Sequence, residues 1–293
     1  MKEKIGVVDA GGGLRDIYGA GVFDYLIDNN INLDYGIGVS AGSANIASYF
    51  AKQKGRNKVY YKDYSFRKEY LSFHNFVKNG SYINMDYIYG TLSNEGGEYP
   101  LDFDTMMNNK SEMVVVASNA KTGEPEYIYK KDFKKNDYGM FSASCNIPIL
   151  DKPYIWRGKE YYDGGITDPI PVKKAYEDGC TKVVVIITRP IDFRKQDNNK
   201  KFVYNKIKKK YPEFAEKLIN RCELYNKTLE DLLANDVKKG KILIVAPEDD
   251  FHMKTLEKDK TKLEAMYQEG YKDGEKIKKF LNKIWQNMIL IVQ

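Results

Sequence analysis

The first fifty residues constrain the fold more than any other stretch. A short apolar run, Ile5 to Val8, ends at Gly11-Gly12-Gly13, and Ile17, Gly21, Tyr25 and Leu26 then recur at helical spacing until Asn29-Asn30 breaks the pattern. Tyr35 to Val39 reads as a second strand, and a helix of small residues begins directly after it, from Ala41 to Lys54. Parallel neighbours in a sheet need a crossover between them, and this run of strand, glycine loop, helix, strand, turn and helix supplies one. The spacing predicts an α/β fold.

Later segments extend the sheet. Met113 to Ala117, Glu126 to Tyr129, Tyr161 to Asp163, Lys182 to Thr188 and Lys241 to Ala246 have the apolar, β-branched character of strands, and Val172 to Glu177 reads as a helix begun by Pro171. Residues 57–110, rich in tyrosine, asparagine and charge, predict short helices and loops that form a cap or side wall. The final third is mostly helical. There Leu263, Tyr267, Gly270, Gly274, Ile277, Leu281, Ile284 and Met288 form an apolar stripe whose glycines suit close backbone approach, with the protein's own sheet as the expected seat. The apolar tail from Met288 to Val292 is expected to dock, the alternative being contact with a membrane or a partner.

Composition excludes several classes of chemistry. With 293 residues, 42% hydrophobic and 30% charged, the chain has the balance of a globular protein with one large domain or two smaller ones. Three scattered cysteines, Cys145, Cys180 and Cys222, make neither a disulfide framework nor a CxxC site, which fits a reducing compartment. Only His74 and His252 are available to a mechanism that needs histidine. No stretch of about 18 apolar residues occurs and the N-terminus lacks a signal-peptide pattern, so the expected location is the cytoplasm. The net charge of +6 is unevenly placed: residues 1–190 carry 24 basic and 24 acidic side chains, residues 191–293 carry 23 and 17.

Gly38-Val39-Ser40-Ala41-Gly42 is a GxSxG pentapeptide between a predicted strand and a predicted helix. That is the setting of a nucleophile elbow, where small flanking residues relieve crowding and helix amides favour negative charge at the serine. A tight strand-to-helix turn with a capping serine has the same pattern. Gly11-Gly12-Gly13-Leu14-Arg15 fails as a dinucleotide fingerprint because Asp16 occupies the third glycine position, and no GxxxxGK[ST] phosphate loop exists in the chain. Two readings stay open for it: a packing turn, or an oxyanion hole of backbone amides with Arg15 adding positive charge. Neither histidine sits in a context suited to a catalytic base. Asp163, at a strand end and followed by Gly164-Gly165, is the candidate carboxylate base, although Asp-Gly-Gly alone also reads as a turn.

In this order, the glycine loop with its basic residue, GxSxG and Asp-Gly-Gly resemble the patatin-like phospholipase family over about residues 4–190. Ile17 to Asp24, Asn119 to Pro125, Ser142 to Pro148 and Asp168 to Pro171 look like its bacterial branch. The resemblance implies a three-layer α/β/α fold with a mostly parallel sheet, and a Ser40–Asp163 dyad that hydrolyses acyl esters of lipids without metal, histidine or other cofactor. It implies an oxyanion hole at Gly11, Gly12, Gly13 and Arg15, with Gly38, Gly42, Gly164 and Gly165 shaping the turns. Asp16 departs from the family's usual glycine. The alternative is a catalytically weak lipid-binding or regulatory protein on the same fold.

The expected organisation is a catalytic domain over residues 1–190 and a basic, mostly helical extension over 191–293, with one strand at 241–246, packed on it. Phe202, Ile207 and Tyr211 lie among Lys200, Lys201, Lys206 and Lys208 to Lys210, a pattern that reads as peripheral contact with anionic membrane or as a solvated lysine-rich face. No nucleic-acid recognition motif is present, so the expected partners are a lipid or other acyl ester and the membrane surface.

Overall fold

A computed structural model describes residues 3–148, 150–196 and 201–292, with side chains through residue 284. The lysine at position 200 and the apolar tail from Met288 to Val292 therefore fall outside the described side chains. Five parallel strands form the body of the sheet, in the order β3 (Glu112–Asn119), β2 (Tyr35–Val39), β1 (Ile5–Asp9), β7 (Lys182–Ile186) and β8 (Ile242–Val245). Three antiparallel strands complete it: β4 (Pro125–Tyr129) and β6 (Lys159–Asp163) both pair with β3, and β5 (Tyr154–Trp156) pairs with β6. The three-residue β5 carries no pattern of its own and was not anticipated.

Strand alternation divides the core into two layers. Val7, Val115, Val184 and Ile186 face one side with α1 (Ile17–Asp28) and α2 (Ala41–Phe50). Val8, Val114, Val116, Val183 and Val185 face the other, where α7 (Val172–Glu177) and the end of α9 (Pro212–Asp231) cover them. The architecture is thus a three-layer α/β/α sandwich with a mostly parallel sheet and a helical C-terminal region.

The long C-terminal helix α10 (Lys260–Val292) seats its stripe chiefly on α1, with a smaller contact to β8 of the sheet, because α1 and α2 already occupy most of that face. Glycines set the approach: a methyl group at Gly270 would lie 2.0 Å from the Tyr18 carbonyl oxygen, and one at Gly21 would lie 2.2 Å from that of Tyr267. Reciprocal hydrogen bonds close the contact, from Tyr18 to Asp273 at 2.6 Å and from Tyr267 to Asp24 at 2.8 Å. No helix among the described residues is long and apolar enough to cross a membrane.

Residues 56–108 form the cap, from α3 (Arg56–Lys62), α4 (Phe73–Asn79), a π-helical turn over Asp86–Leu92 and α5 (Phe103–Asn108). Along α8 (Lys201–Lys208) and its junction with α9, Phe202 is 81% exposed, whereas Ile207 and Tyr211 are 6% and 5% exposed. Those two pack with Tyr162, Phe214 and Leu218. Of the three apolar residues read as a membrane-facing set, only Phe202 faces outward, because the other two anchor α8 and α9 to β6.

Candidate active site

Ser40 sits where β2 ends and α2 begins, at φ 54° and ψ −132°, a backbone region that non-glycine residues rarely adopt. Close packing imposes that conformation. A methyl at Gly38 would come within 2.4 Å of the Ser43 Cα, so α2 turns off the strand with no room for a larger residue. The Ser40 carbonyl accepts from the Ser43 amide at 3.0 Å and the Ser43 hydroxyl at 2.6 Å. Its N–H donates to the Ser144 hydroxyl at 2.8 Å, and Ser144, on α6 (Gly139–Cys145), donates to the Val116 carbonyl at 2.6 Å. Both backbone polar groups are thereby committed.

Sheet register brings Asp163 to the same place. β2 pairs with β3 as far as Val39 opposite Val116; at the next residue of β3, Ala117, the partner is Asp163. Ala117 also pairs with Glu126 of β4. Two partners of one residue occupy opposite strand edges, so β6 takes over the edge that β2 leaves. Asp163 and Ser40 therefore meet across the end of β2. Gly164 completes the fit, since a methyl there would lie 2.2 Å from the Val116 carbonyl oxygen. The Asp163 amide donates to the Asn146 carbonyl at 2.8 Å, and its carboxylate accepts from the Gly165 amide at 2.8 Å. Burial pushes the carboxyl above the ordinary aspartate range, while the nearby Ser40 side chain and the hydrogen bond from the Gly165 amide work against that shift.

The glycine loop approaches from β1, with Gly11, Gly12 and Gly13 at φ 66°, 156° and 64°. Its amides are not equivalent. The Gly11 N–H donates to Asp9 Oδ1 at 3.1 Å and the Leu14 N–H to the Thr255 carbonyl at 2.8 Å. Among the described residues, the amides of Gly12, Gly13 and Ala41 meet no acceptor. Gly11, expected among the oxyanion donors, is turned back onto its own strand end by the Asp9 carboxylate. Arg15, also placed there from sequence, is 9% exposed and donates from Nη1 to the Thr255 hydroxyl at 3.0 Å; its Nε has no partner. Its side chain lines the same groove as Gly12 and Gly13.

Asp16 points inward, away from the loop amides. It is fully buried beside Asp9, and Asn45 Nδ2 bridges the two residues, donating to Asp9 Oδ2 at 3.2 Å and to the Asp16 carbonyl at 2.9 Å. Burial pushes Asp9 up to about 6 and, with the neighbouring Asp9 charge, holds Asp16 well above the ordinary range. Both carboxyl groups thus have raised proton affinity in the layer beneath the loop, and the Asp16 carboxyl oxygens have no hydrogen-bond partner among the described residues.

Two spaces meet at Ser40. A narrow apolar cavity under the cap is walled by Leu14, Tyr61, Ile83, Ile88, Cys145 and neighbouring residues. An open groove contains Asp163, Thr188, Lys195, Arg221 and Thr255. Gly13, Ser40, Ile147 and Leu256 belong to both. His74 and His252 are exposed and line neither. Sequence reasoning did not single out Ser144, Asn146, Lys195 or Arg221. Ser144 and Asn146 lie within a segment whose resemblance was noted, whereas the two cations had no signal beyond regional charge.

A family model described as patatin-like phospholipase matches residues 7–176, and one for a domain of unknown function (DUF6363) matches residues 211–286. The uncharacterized protein YjjU of Escherichia coli (strain K12) is 30% identical over 192 residues, which is 64% of this chain and 52% of that protein. The chain thus spans about half the length of that curated relative. The crystal structure of VipD from Legionella pneumophila aligns with 96% of this chain and 67% of its own, at 14% identity and a TM-score of 0.48. With the first model matching more than half of its residues, this chain belongs to the patatin-like phospholipase family.

Proposed function

We propose that the chain is a lipid acyl hydrolase that cleaves carboxylic esters through an acyl-serine intermediate on a Ser40–Asp163 dyad. The observation that carries this reading is the strained Ser40 at the head of α2, which sheet register sets beside Asp163, a partly buried carboxyl whose proton affinity is raised. A carboxylate is ordinarily too weak a base for a hydroxyl. Withdrawing it from water narrows that gap.

In the first step Asp163 takes the hydroxyl proton as Ser40 Oγ attacks the ester carbonyl. The developing oxyanion accepts from the Gly12 and Gly13 amides and from Ala41 at the start of α2, with removal of one such donor costing about 10²–10³ in kcat. The acyl chain lies in the apolar cavity under the cap, and the alcohol side faces the groove. Asp163 returns its proton to the departing alcoholate. Water then attacks the acyl-serine with Asp163 again as base, releasing the fatty acid and free Ser40. No metal or histidine takes part in these steps. The test is ester turnover by wild type, Ser40→Ala and Asp163→Asn, together with labelling by a fluorophosphonate probe. Loss of turnover in both variants with folding retained supports the dyad; wild-type turnover in either overturns it.

A further inference from the structure

We propose that the groove beside Ser40 is an anion subsite, formed by Arg15, Lys195 and Arg221, that holds a phosphate-class group on the alcohol side of the scissile ester and so selects anionic over zwitterionic and neutral acyl esters. This rests on the acyl-hydrolase reading above and adds the head-group chemistry to it. Five cationic side chains line the groove, and Asp163 is its one carboxylate among the described residues. Arg189 and Arg194 are neutralised by Asp250 and Glu230. Arg15, Lys195 and Arg221 form no ion pair among the described residues.

The site is built rather than incidental. Arg15 is nine-tenths buried with an unpartnered Nε, an expensive arrangement unless an acceptor arrives. The Lys195 backbone is clamped to α9 from both sides: its N–H donates to Asn226 Oδ1 at 2.8 Å, and Asn226 Nδ2 donates to its carbonyl at 2.9 Å. Arg221 and Tyr225 stand one turn apart on α9, so one helix face presents both to the groove. Burial, followed by the nearby charges of Arg221 and Arg15, pushes Lys195 down to about 8. A bound anion would relieve that repulsion.

The same groove is unsuited to a quaternary ammonium. Such groups are held by open aromatic faces, but Lys195 Nζ already lies 3.7 Å from the Tyr225 ring centroid and the Arg189 guanidinium 4.9 Å from that of Phe193. Phosphate suits what remains, since clustered Arg and Lys donors satisfy several of its oxygens at once. Lys195 and Arg221 lie beyond the residues matched to the patatin-like family, which makes head-group choice a contribution of the later chain.

The test compares three substrates with one acyl chain, presented in the same detergent: a monoacylglycerol, its glycerophosphocholine ester and its glycerophosphate ester. Wild type should favour the glycerophosphate ester in kcat/KM by about tenfold or more. Lys195→Gln and Arg221→Gln should bring that ratio to near unity through KM, and Arg221→Lys should restore most of it. Equal turnover of the three esters by wild type, or an undiminished ratio in the Gln variants, overturns the subsite. Should no ester turn over and no probe label Ser40, the dyad reading fails instead. The subsite is then read directly, by phosphorus NMR of glycerol phosphate with the Ser40→Ala protein. Binding that is lost in Arg221→Gln supports it; no binding, or equal binding of inorganic phosphate alone, overturns the assignment to the substrate's alcohol side.

Discussion

The Ser40 N–H donates to the Ser144 hydroxyl at 2.8 Å, which ties the strained elbow to α6 and, through the Val116 carbonyl, to β3. One small side chain thus satisfies a backbone donor and a backbone acceptor at the point where two strands exchange places. Ser144→Ala leaves both unpaired, at a cost of about 1–3 kcal/mol for buried groups. The expected outcome is a lower melting temperature and a fall in kcat of about tenfold with KM little changed, measured by thermal denaturation and ester kinetics. Ser144→Thr, which keeps the hydroxyl, should recover part of the rate.

On the proposed dyad Asp163 is the base, so activity should follow its ionisation. The carboxyl is raised by burial, so the acidic limb of the kcat/KM profile should lie above the ordinary aspartate value. His74→Gln and His252→Gln should leave that limb in place, because both histidines are exposed and line neither space at Ser40. A limb that moves in either variant would contradict the assignment.

Asp9 and Asp16 give stability a pH dependence of known sign. Both folded values are raised, so the native state holds protons that the unfolded chain releases above its ordinary aspartate value. Stability supplied by that bound proton is full at low pH and declines as pH rises through the folded values. Asp16→Asn removes one of these acids. Its melting temperature relative to wild type should therefore be more favourable at pH 8 than at pH 5, and a constant difference across that range would refute the raised proton affinity.

At the α1–α10 contact, Gly270→Ala forces a methyl to within 2.0 Å of the Tyr18 carbonyl oxygen. Overpacking of this kind costs about 1–3 kcal/mol or more. Gly90→Ala, where nothing lies within 4 Å, is the matched control and should leave the melting temperature nearly unchanged. Equal effects at the two positions would mean that the helices separate easily.

What could be read from sequence was local. The tight turns at Gly38 to Gly42 and at Asp163-Gly164-Gly165 are legible because each needs its own small neighbours, whereas the roles proposed for Ser40 and Asp163 came from the order of the motifs and the family they resemble. The Gly11 amide could not be assigned that way, since its acceptor is a side chain whose orientation depends on the Asp16 and Asn45 packing below it. Asn226, which positions Lys195 from 31 residues away, has no signature at all. The α10 stripe identified an apolar face but not its partner, because periodicity carries no information about whether a sheet or another helix lies opposite. The membrane-facing reading of Ile207 and Tyr211 failed for the same reason: a helix face apolar enough for lipid is equally apolar enough for Tyr162 and Phe214.

The central claim is that Ser40 is a nucleophile activated by Asp163, and the rate and site of fluorophosphonate labelling test it most directly. Intact-mass and peptide analysis should find one adduct, on the peptide carrying Ser40, absent in Ser40→Ala and formed about 100-fold more slowly or worse in Asp163→Asn. An adduct on another residue such as Cys145, or labelling of Asp163→Asn at the wild-type rate, would contradict the account.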